Sequence, residues 1–386
     1  MQIRIPSHRP CLGPAELEAV RQVLESRWLG RGRLTKEFED RLGDYLGVRH
    51  VIAVNSGTAA LHLALDALEL EPGEEVIVPS LTFVSSVQAI LAAGGRPVFC
   101  EVNPDSLNME AGDAAACLSE RTRAILAVHY GGRICDMEGL RRLAAGRGIR
   151  LVEDAAHAFG SGVAGARAGT LGDIGCFSFD PIKNITCGGG GAVVTNNGEL
   201  AERIRARHNV GLETDSWSRL TGERPWFYRV VEPGYRYYMS NLNAAIGLAQ
   251  LDRMEEFRAR KRAIVRRYEE AFSATEGLTV VRHDLKDVFP FNYVVRVDGG
   301  RRDALMRHLR ERGIGTTIQF IPNHMQPIFA PFARPLPVTE RLYEEILTLP
   351  LYVEMTDADV EEVIGEVQAF LASPAAARGG LGAHRS

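Results

Sequence analysis

The feature that most constrains the fold is a regular alternation, over the first two-thirds of the chain, of short β-branched runs with longer helical patterns. Repeats of this kind predict an α/β fold with a mainly parallel sheet covered by helices on both faces. The predicted strands lie at residues 51–54, 75–78, 97–101, 124–128, 150–153, 174–179 and 191–195. No full helix separates the last two runs, so we expect the sheet to be mixed there.

The pattern changes near residue 240, which indicates a second, smaller α+β domain, and a chain of 386 residues favours two domains in any case. The predicted elements of this part are a long helix at 240–272, strands at 278–281, 293–297 and 316–320, and helices at 302–312 and 360–371. The predicted units are a large domain (1–250, including an N-terminal segment 1–14), a small C-terminal α+β domain (251–373) and a disordered tail (374–386).

Composition excludes several classes of function. The net charge of −4 argues against a nucleic-acid partner or an anionic membrane, because both favour basic surfaces. No apolar run reaches membrane-spanning length and residues 1–9 do not resemble a signal peptide, so we expect a cytoplasmic protein with no membrane partner. The six cysteines are scattered without a CxxC pair, so we expect neither a disulfide framework nor a metal site.

Polar residues follow three of the predicted strands, where open α/β sheets bind their ligands. The first turn, at residues 55–58, opens an apolar helix. Gly57 allows the backbone to approach a ligand closely, and the free amides at the helix start favour an anion such as phosphate. Simple helix capping by Ser56 or Thr58 is the alternative explanation of this turn.

The other two turns carry ionisable residues at interior positions. Asp154 ends an apolar strand, where a carboxylate is costly unless a cation or a hydrogen-bond donor meets it. His157 follows within one turn, and a cap with a satisfied interior histidine would explain both residues equally well. Lys183 lies between two apolar strands, where loss of water would lower its pKa and make it a nucleophile, although most lysines are surface residues.

Taken together, the three turns match the needs of pyridoxal phosphate. This cofactor requires an anion site for its phosphate, a lysine for its Schiff base and an acid beside its ring nitrogen. The glycine run at residues 188–191 does not indicate a nucleotide loop. It lacks the Lys-Ser/Thr ending of a Walker loop, and it leads into a strand rather than a helix.

At these residues the chain resembles the DegT/DnrJ/EryC1/StrS family of sugar aminotransferases, over about residues 5–371. The matching stretches are residues 55–61, 153–157, 177–183 and 234–251. The resemblance implies the fold of type I pyridoxal-phosphate enzymes, with a mostly parallel, mixed sheet in the large domain and a smaller α+β domain. It also implies a homodimer with shared active sites.

The resemblance further implies roles for individual residues. Lys183 would bind the cofactor as a Schiff base, Asp154 would pair with the ring nitrogen, and His157 would lie against the 3-hydroxyl group. The other implied cofactor contacts are Gly57, Thr58 and Ser178 at the phosphate, Phe83 over the ring, and Arg236 reaching the phosphate from the partner chain. The implied substrate contacts are Trp28, Tyr238 and His324; a surface-loop role for His324 and a core role for Phe83 are the alternatives.

The resemblance implies L-glutamate as the amino donor and a keto-sugar nucleotide as the acceptor. Residues 183–186 look more like members that aminate C4 of a 4-keto-6-deoxy sugar or a 4-keto pentose, with 3-keto sugars or a keto-cyclitol as alternatives. A dehydratase is disfavoured because such relatives usually replace the lysine by histidine, and a non-catalytic regulator because Lys183 and Asp154 are both intact. The departures from the family pattern are Asp180, Gly189 and Arg236. An aromatic loop with Trp217, Trp226, Phe227 and Tyr228 is expected at the dimer contact or on the substrate.

Overall fold

Two packed units make up the chain in a computed structural model that describes residues 2–213 and 226–373. Trp217 and the predicted tail 374–386 lie outside the described residues. The strands of the large unit are β1 (His50–Val54), β2 (Glu75–Pro79), β3 (Arg96–Cys100), β4 (Thr122–Val128), β5 (Arg150–Asp154), β6 (Gly162–Val163), β7 (Ala166–Arg167), β8 (Ile174–Ser178) and β9 (Gly191–Thr195). Its helices are α1 (Pro14–Ser26), α2 (Arg33–Leu46), α3 (Gly57–Asp66), α4 (Val84–Ala92), α5 (Ala111–Ala115), α6 (Met137–Ala144) and α7 (Gly198–Arg207).

Seven strands form the large sheet in the order β1-β9-β8-β5-β4-β2-β3. Strand β9 runs antiparallel to both neighbours, because the connection from β8 contains no crossover helix that would return the chain to the other end of the sheet. The remaining neighbours pair in parallel. The predicted mainly parallel sheet, mixed at its last two strands, is therefore confirmed.

Both faces of this sheet are covered, as strands buried on both sides require. Alternate residues of a strand point to opposite faces, so Ile52 and Val54 pack against α3 while Val51 and Ala53 pack against α2. Helices α3, α4 and α7 lie on the first face, and α2 and α6 lie on the second.

The small unit is built around a three-stranded antiparallel sheet. Its elements are β10 (Leu278–Val280), β11 (Tyr293–Val297), α9 (Arg302–Glu311), α10 (Pro337–Glu345), β12 (Ile346–Leu349) and α11 (Asp357–Ala372). The prediction of a strand at 316–320 is wrong, since only Thr317 makes a bridge there, to Thr348 of β12. The chain leaves the sheet after that bridge because Gln319 and Phe320 turn toward a cavity in the large unit.

One continuous helix, α8 (Asn241–Phe272), joins the two units. Its residues up to Phe257 belong to the core of the large unit, and those from Ile264 onward belong to the core of the small one. The predicted boundary at residue 250 is therefore too early by about two turns. Because the helix is uninterrupted, its amphipathic pattern does not show the residue at which the buried face passes from the core of the large unit to that of the small unit.

The N-terminal segment is divided between the two units: its residues around Ile5 pack on the small unit, whereas Cys11 packs against the core of the large one. Ile5 is fully buried in the small core, beside Ile314. Its backbone nitrogen donates to the carbonyl of Gly313 at 3.0 Å, and its carbonyl accepts from the nitrogen of Gly315 at 2.7 Å. The segment thus closes the edge of the small unit before the chain crosses to α1.

None of the helices within residues 2–213 and 226–373 is both long and apolar enough to cross a bilayer.

The packing of the N-terminal segment predicts that Ile5→Ala destabilises the protein by about 2–4 kcal/mol, because it removes buried methyl groups from a closed core. Urea unfolding of the cofactor-free protein measures this loss. Ile3→Ala is the matched control, since the Ile3 side chain is exposed. Its truncation should cost less than about 1 kcal/mol. Equal effects of the two substitutions would contradict the assignment.

Candidate active site

The parallel strands of the large sheet end at one edge, and a cavity of about 250 Å³ opens there. The turns after β1, β2, β5 and β8 surround it, and Gln319 and Phe320 reach it from the small unit. Seven of the predicted cofactor residues line this cavity: Gly57, Thr58, Phe83, Asp154, His157, Ser178 and Lys183. The structure thus brings together residues from widely separated parts of the sequence.

The start of α3 forms one end of the cavity. Ser56 caps this helix by accepting from the nitrogen of Ala59 at 3.1 Å. The amides of Gly57 and Thr58 precede the first intrahelical bond and point out of the helix end, where its dipole favours an anion. A Cβ atom on Gly57 would lie 2.7 Å from Cβ of Ser178, so only glycine permits this approach between α3 and β8.

Hydroxyl groups surround these amides. The hydroxyl of Thr58 lies 2.7 Å from that of Ser85, the second residue of α4, and Ser178 ends β8 on the opposite side. Gly189 and Gly190 complete this end of the cavity. The turn at residues 55–58 therefore provides both the cap and the anion site that the sequence left as alternatives.

Asp154 lies at the floor of the cavity and is 5% exposed. Its Oδ2 accepts from the hydroxyl of Ser86 at 2.7 Å, and its Oδ1 accepts from the nitrogen of Ala156 at 3.1 Å. Burial raises the pKa of Asp154, and these two hydrogen bonds, together with the charge of Lys183, partly oppose that rise. The carboxyl group is thus held in a fixed orientation by donors that favour its ionised form.

The neighbouring Glu153 points away from the cavity and fixes the turn that precedes β8. Its carboxylate accepts from the nitrogens of Gly169, Leu171 and Gly172 at 2.6–2.7 Å. It also accepts from Nε2 of His129 at 2.8 Å, while Nδ1 of that ring accepts from a backbone nitrogen. This fully satisfied buried network anchors the end of β5 beside Asp154.

Lys183 enters the cavity from the loop after β8. Its Nζ lies 4.5 Å from the centre of the Phe291 ring. Burial lowers the pKa of Lys183 to about 8, although the charges of Asp154 and Asp180 act in the opposite direction. The predicted desolvated amine is therefore present, and a substantial fraction of it is unprotonated and nucleophilic at slightly alkaline pH.

His157 packs parallel to Phe291, with ring centres 4.1 Å apart. Its Nδ1 accepts from the nitrogen of Gly131 at 3.4 Å. Burial lowers the pKa of His157 well below its usual value, and the charge of Lys183 adds to the effect. The ring is thus neutral at physiological pH and faces the cavity as a polar but uncharged wall. Phe83, on the other side, is 54% exposed, with its ring centre 5.5 Å from that of Phe320.

Four predicted site residues lie outside this cavity: Arg236, Tyr238, Trp28 and His324. Arg236 is exposed, and its guanidinium donates to the hydroxyl of Tyr238 at 2.6 Å. Tyr238 and Trp28 line a separate cavity of about 290 Å³, which the structure places away from Lys183 of the same chain. Their roles stay predictions.

His324 does not line the main cavity either. Its Nδ1 lies 2.7 Å from the hydroxyl of Ser80, and its Nε2 lies 3.3 Å from a carboxylate oxygen of Glu340. Asn323 donates to the carbonyls of Ser80 and Thr82, at 3.1 and 2.7 Å. In this conformation the pair fastens the small unit to the turn that carries Phe83.

The sequence interpretation missed several residues that shape the cavity: Ser85, Ser86, Phe291, Gln319 and Phe320. The two serines follow β2 at the start of a helix, which is a recognisable signal because polar residues there mark a strand end. The other three belong to the small unit, and nothing in their local sequence indicates the cavity.

These residues fit pyridoxal phosphate by their own chemistry. One end of the cavity offers amides and hydroxyls, which a phosphate group requires. The floor offers an oriented carboxyl group, and the loop after β8 offers an amine of lowered pKa. Within the described parts of the chain, no group of three metal-ligating side chains is arranged to hold an ion.

Comparison with known proteins agrees with this site. The sequence model of the DegT/DnrJ/EryC1/StrS aminotransferase family matches residues 10–368. The spore coat polysaccharide biosynthesis protein SpsC of Bacillus subtilis is 37% identical over 374 residues, which cover 94% of this chain and 96% of SpsC.

Solved structures give the same result. The aminotransferase TlmJ of Streptoalloteichus hindustanus superposes with a TM-score of 0.89 at 41% identity, covering 95% of this chain and 98% of TlmJ. The putative sugar aminotransferase Spr1654 of Streptococcus pneumoniae is 28% identical. Its PMP form has a TM-score of 0.89, covering 95% of this chain and 98% of its own, and a PLP form is also known.

The environment of Asp154 predicts a pH-dependent effect of Asp154→Asn on stability. Because its pKa is raised in the folded protein, the stabilising contribution of Asp154 is present at low pH and is lost as the pH rises through the folded value. The asparagine variant has no such loss, so its free energy of unfolding relative to wild type should be higher at pH 8 than at pH 3.5, which is below the ordinary pKa of an aspartate, about 3.9.

Urea unfolding of the cofactor-free proteins at the two pH values measures this difference. Asp44→Asn is the control, since Asp44 lies away from the cavity on helix α2. This control substitution should change stability by less than about 0.5 kcal/mol at either pH. An Asp154→Asn variant that loses more stability at pH 8 than at about pH 3.5 would show that Asp154 is not disfavoured in its ionised form.

Proposed function

This chain belongs to the DegT/DnrJ/EryC1/StrS aminotransferase family, and we propose that it transfers the amino group of L-glutamate to a keto-sugar nucleotide. The general activity, without the identity of donor and acceptor, follows from the family match and from the sugar aminotransferases among its structural neighbours. It is a pyridoxal-phosphate-dependent sugar aminotransferase of fold type I.

One observation carries the proposed assignment of roles. Lys183 and Asp154 follow adjacent parallel strands and face the same cavity, with the amide-rich start of α3 at its end. An amine, an acid and an anion site at these three positions are what the cofactor requires. We therefore assign the cofactor lysine to Lys183 and the partner of the ring nitrogen to Asp154.

Pyridoxal phosphate supplies an aldehyde that takes up an amino group and a ring that withdraws electrons. Thr58, Ser178 and the first amides of α3 would hold the phosphate, and Asp154 would hold a proton on the ring nitrogen. Nζ of Lys183 takes a proton from Cα of glutamate in the first half-reaction. In the second half-reaction it returns a proton to the carbonyl carbon of the acceptor. Glutamate leaves as 2-oxoglutarate, and the keto sugar leaves as an amino sugar.

The choice of a 4-keto sugar over the other possible acceptors rests on the loop that carries Lys183. The run from Lys183 to Thr186 resembles that of relatives that aminate C4, which favours a 4-keto-6-deoxy sugar or a 4-keto pentose. Asp180 and Gly189 line the cavity beside this loop. A carboxylate at position 180 suits a partner with hydroxyl groups, because it can accept hydrogen bonds from them.

We also infer a homodimer in which each chain completes the cavity of its partner. Arg236 is an exposed cation outside its own cavity, as a residue that serves the partner's phosphate must be. Trp28 and Tyr238 lie near it on the same surface. Trp226 and Phe227, which are 75% and 47% exposed, are further apolar rings that a partner chain would cover.

The proposed acceptor predicts a clear order of activities. Protein loaded with pyridoxamine phosphate should aminate a nucleoside-diphosphate 4-keto-6-deoxy sugar or 4-keto pentose at least about tenfold faster than a 3-keto isomer or a keto-cyclitol. Mass detection of the amino product measures these rates. Loss of visible cofactor absorbance on adding L-glutamate, but not on adding L-alanine, tests the donor.

Lys183→Arg is the matched control, because it keeps the positive charge but cannot bind the cofactor covalently. Its rate should fall by at least about 10³-fold with the fold intact. Faster conversion of the 3-keto isomer would overturn the choice of C4, whereas full activity of the arginine variant would overturn the role of Lys183.

Shared sites predict complementation between two defective variants. Arg236→Ala should weaken cofactor binding by about tenfold or more, through loss of a charged phosphate contact. Mixing it with Lys183→Ala should restore about one quarter of wild-type activity, because half of the dimers are hybrids and each has one intact site. Mixing Lys183→Ala with Lys183→Arg should restore none, and absence of recovery in hybrids verified by native mass spectrometry would refute the shared site.

A further inference from the structure

Lysine is rare in this chain. Of the 45 Lys and Arg residues, only four are lysines: Lys36, Lys183, Lys261 and Lys286. Arginine thus serves almost every position where only a positive charge is needed, and it cannot lose its proton in a protein. Lysine can, and two of the four lysines lie together behind the cavity. The use of lysine at these two positions indicates that the side chain there must be able to lose its proton, and not only carry a positive charge.

Lys261 lies on α8 where the two cores meet, and it is 4% exposed. Its Nζ donates to Oδ1 of Asn184 at 3.0 Å and to the carbonyl of Phe291 at 3.4 Å. Both acceptors are neutral, so neither offsets a positive charge on the buried amine. Burial therefore lowers the pKa of Lys261 to about 7.

Lys183 and Lys261 approach the same aromatic ring. Nζ of Lys183 lies 4.5 Å from the centre of the Phe291 ring, and Nζ of Lys261 lies 5.8 Å from it. The charge of Lys183 contributes to the lowered pKa of Lys261. Two positive charges beside one ring repel each other, so a charged Lys183 disfavours the protonated form of Lys261.

The other ionisable groups around Lys183 and Lys261 do not cancel the repulsion between the two amines. His8 packs on Phe291 with ring centres 5.4 Å apart, and burial together with the two lysine charges lowers its pKa to about 3. His157 is neutral for the same reason. Asp154 and Asp180 face Lys183, which explains why its pKa, about 8, stays above that of Lys261.

Arg258 lies one turn before Lys261 on α8 and is held by its own hydrogen bonds. Its guanidinium lies 5.6 Å from the centre of the Phe289 ring and donates to the hydroxyl of Tyr45 and the carbonyl of Gly160. Nζ of Lys261 lies 5.9 Å from the centre of the same ring, so Arg258 is a second cation near Lys261. Its charge is permanent, so it cannot respond to that of Lys183.

A small cavity gives protons from solvent a path to Lys183 and Lys261. It measures about 10 Å³ and is lined by both lysines, by Asn184 and Gln250, and at its outer end by the exposed Arg9. This volume is at the lower limit for one water molecule. Of the residues that line it, only Ile182 and Lys183 also line the main cavity.

We propose that Lys261 is a positioning residue that exchanges charge with Lys183. Lys261 is neutral while Lys183 is positively charged, and it takes up a proton from solvent through the small cavity when Lys183 becomes neutral. The summed charge of Lys183 and Lys261 therefore stays near +1 while Lys183 gains or loses its positive charge. This inference depends on the proposed role of Lys183 and not on the identity of the sugar.

Titration of the lysine signals by NMR tests the proposal without turnover. Full-length protein carrying ¹³C-labelled lysine and loaded with pyridoxamine phosphate, which leaves Lys183 unbonded, should show four Cε signals. Lys36→Arg and Lys286→Arg assign two of them. Lys261 should titrate at a lower pH than Lys183, which is the order that the protein has without cofactor.

Three variants separate exchange of charge from a structural role. Lys183→Met should raise the midpoint of Lys261 by about one pH unit, because the repelling charge is gone. Lys261→Met should leave the midpoint of Lys183 nearly unchanged, because Lys261 is already neutral when Lys183 titrates. Lys261→Arg, with a permanent charge at the same place, should lower the midpoint of Lys183 by about one unit or more.

An unchanged midpoint of Lys261 in Lys183→Met overturns the proposal. Equal midpoints of Lys183 in the arginine and methionine variants at position 261 also overturn it. If the variants at 261 do not fold, the Lys183→Met measurement decides alone, because it leaves Lys261 in place. Failure to aminate any keto sugar would contradict the proposed acceptor but would not alter these titrations.

Discussion

The site depends on holding a carboxyl group and an amine where little water reaches them. A buried charge without partners costs several kcal/mol, so the fold must supply those partners through its own backbone and hydroxyl groups. The parallel sheet does this because all its turns at one edge converge. Ser86 and the amide of Ala156 hold Asp154, and the Glu153 network fixes the strand end beneath it. The amine then keeps a lowered pKa beside an acid that is already satisfied.

Much of this arrangement could be predicted from the sequence, because the signals are local. Asp154 and Lys183 each interrupt an apolar pattern at the end of a strand, and Gly57 opens an apolar helix. The antiparallel strand β9 could also be predicted, since only a short glycine-rich connection precedes it. The structure adds that all these turns share one cavity. The local sequence patterns do not show this by themselves, and it is expected only because parallel strands bring their ends to one edge of a sheet.

The residues that could not be predicted reach the site from distant parts of the chain. Phe291 and Phe320 belong to the small unit, and their sequence surroundings look like those of any core aromatic residue. Ile5 stands beside Ile3 in a short polar segment, and nothing in that segment distinguishes the buried isoleucine from the exposed one. Residues 316–320 read as a strand by composition, but the bridge at Thr317 is the only pairing they make. In each case a long-range contact overrode the local pattern.

Helix α8 has a mechanical consequence for how substrates enter. It contains 32 residues, and both cores are built on it. At the usual rise of an α-helix it forms a rod roughly 48 Å long. Swinging one core away from the other would break backbone hydrogen bonds in the middle of this rod, near Lys261, where no glycine or proline provides a hinge. The helix is therefore a stiff frame between the two halves of the catalytic cleft, and it disfavours opening of the cleft by separation of the two cores.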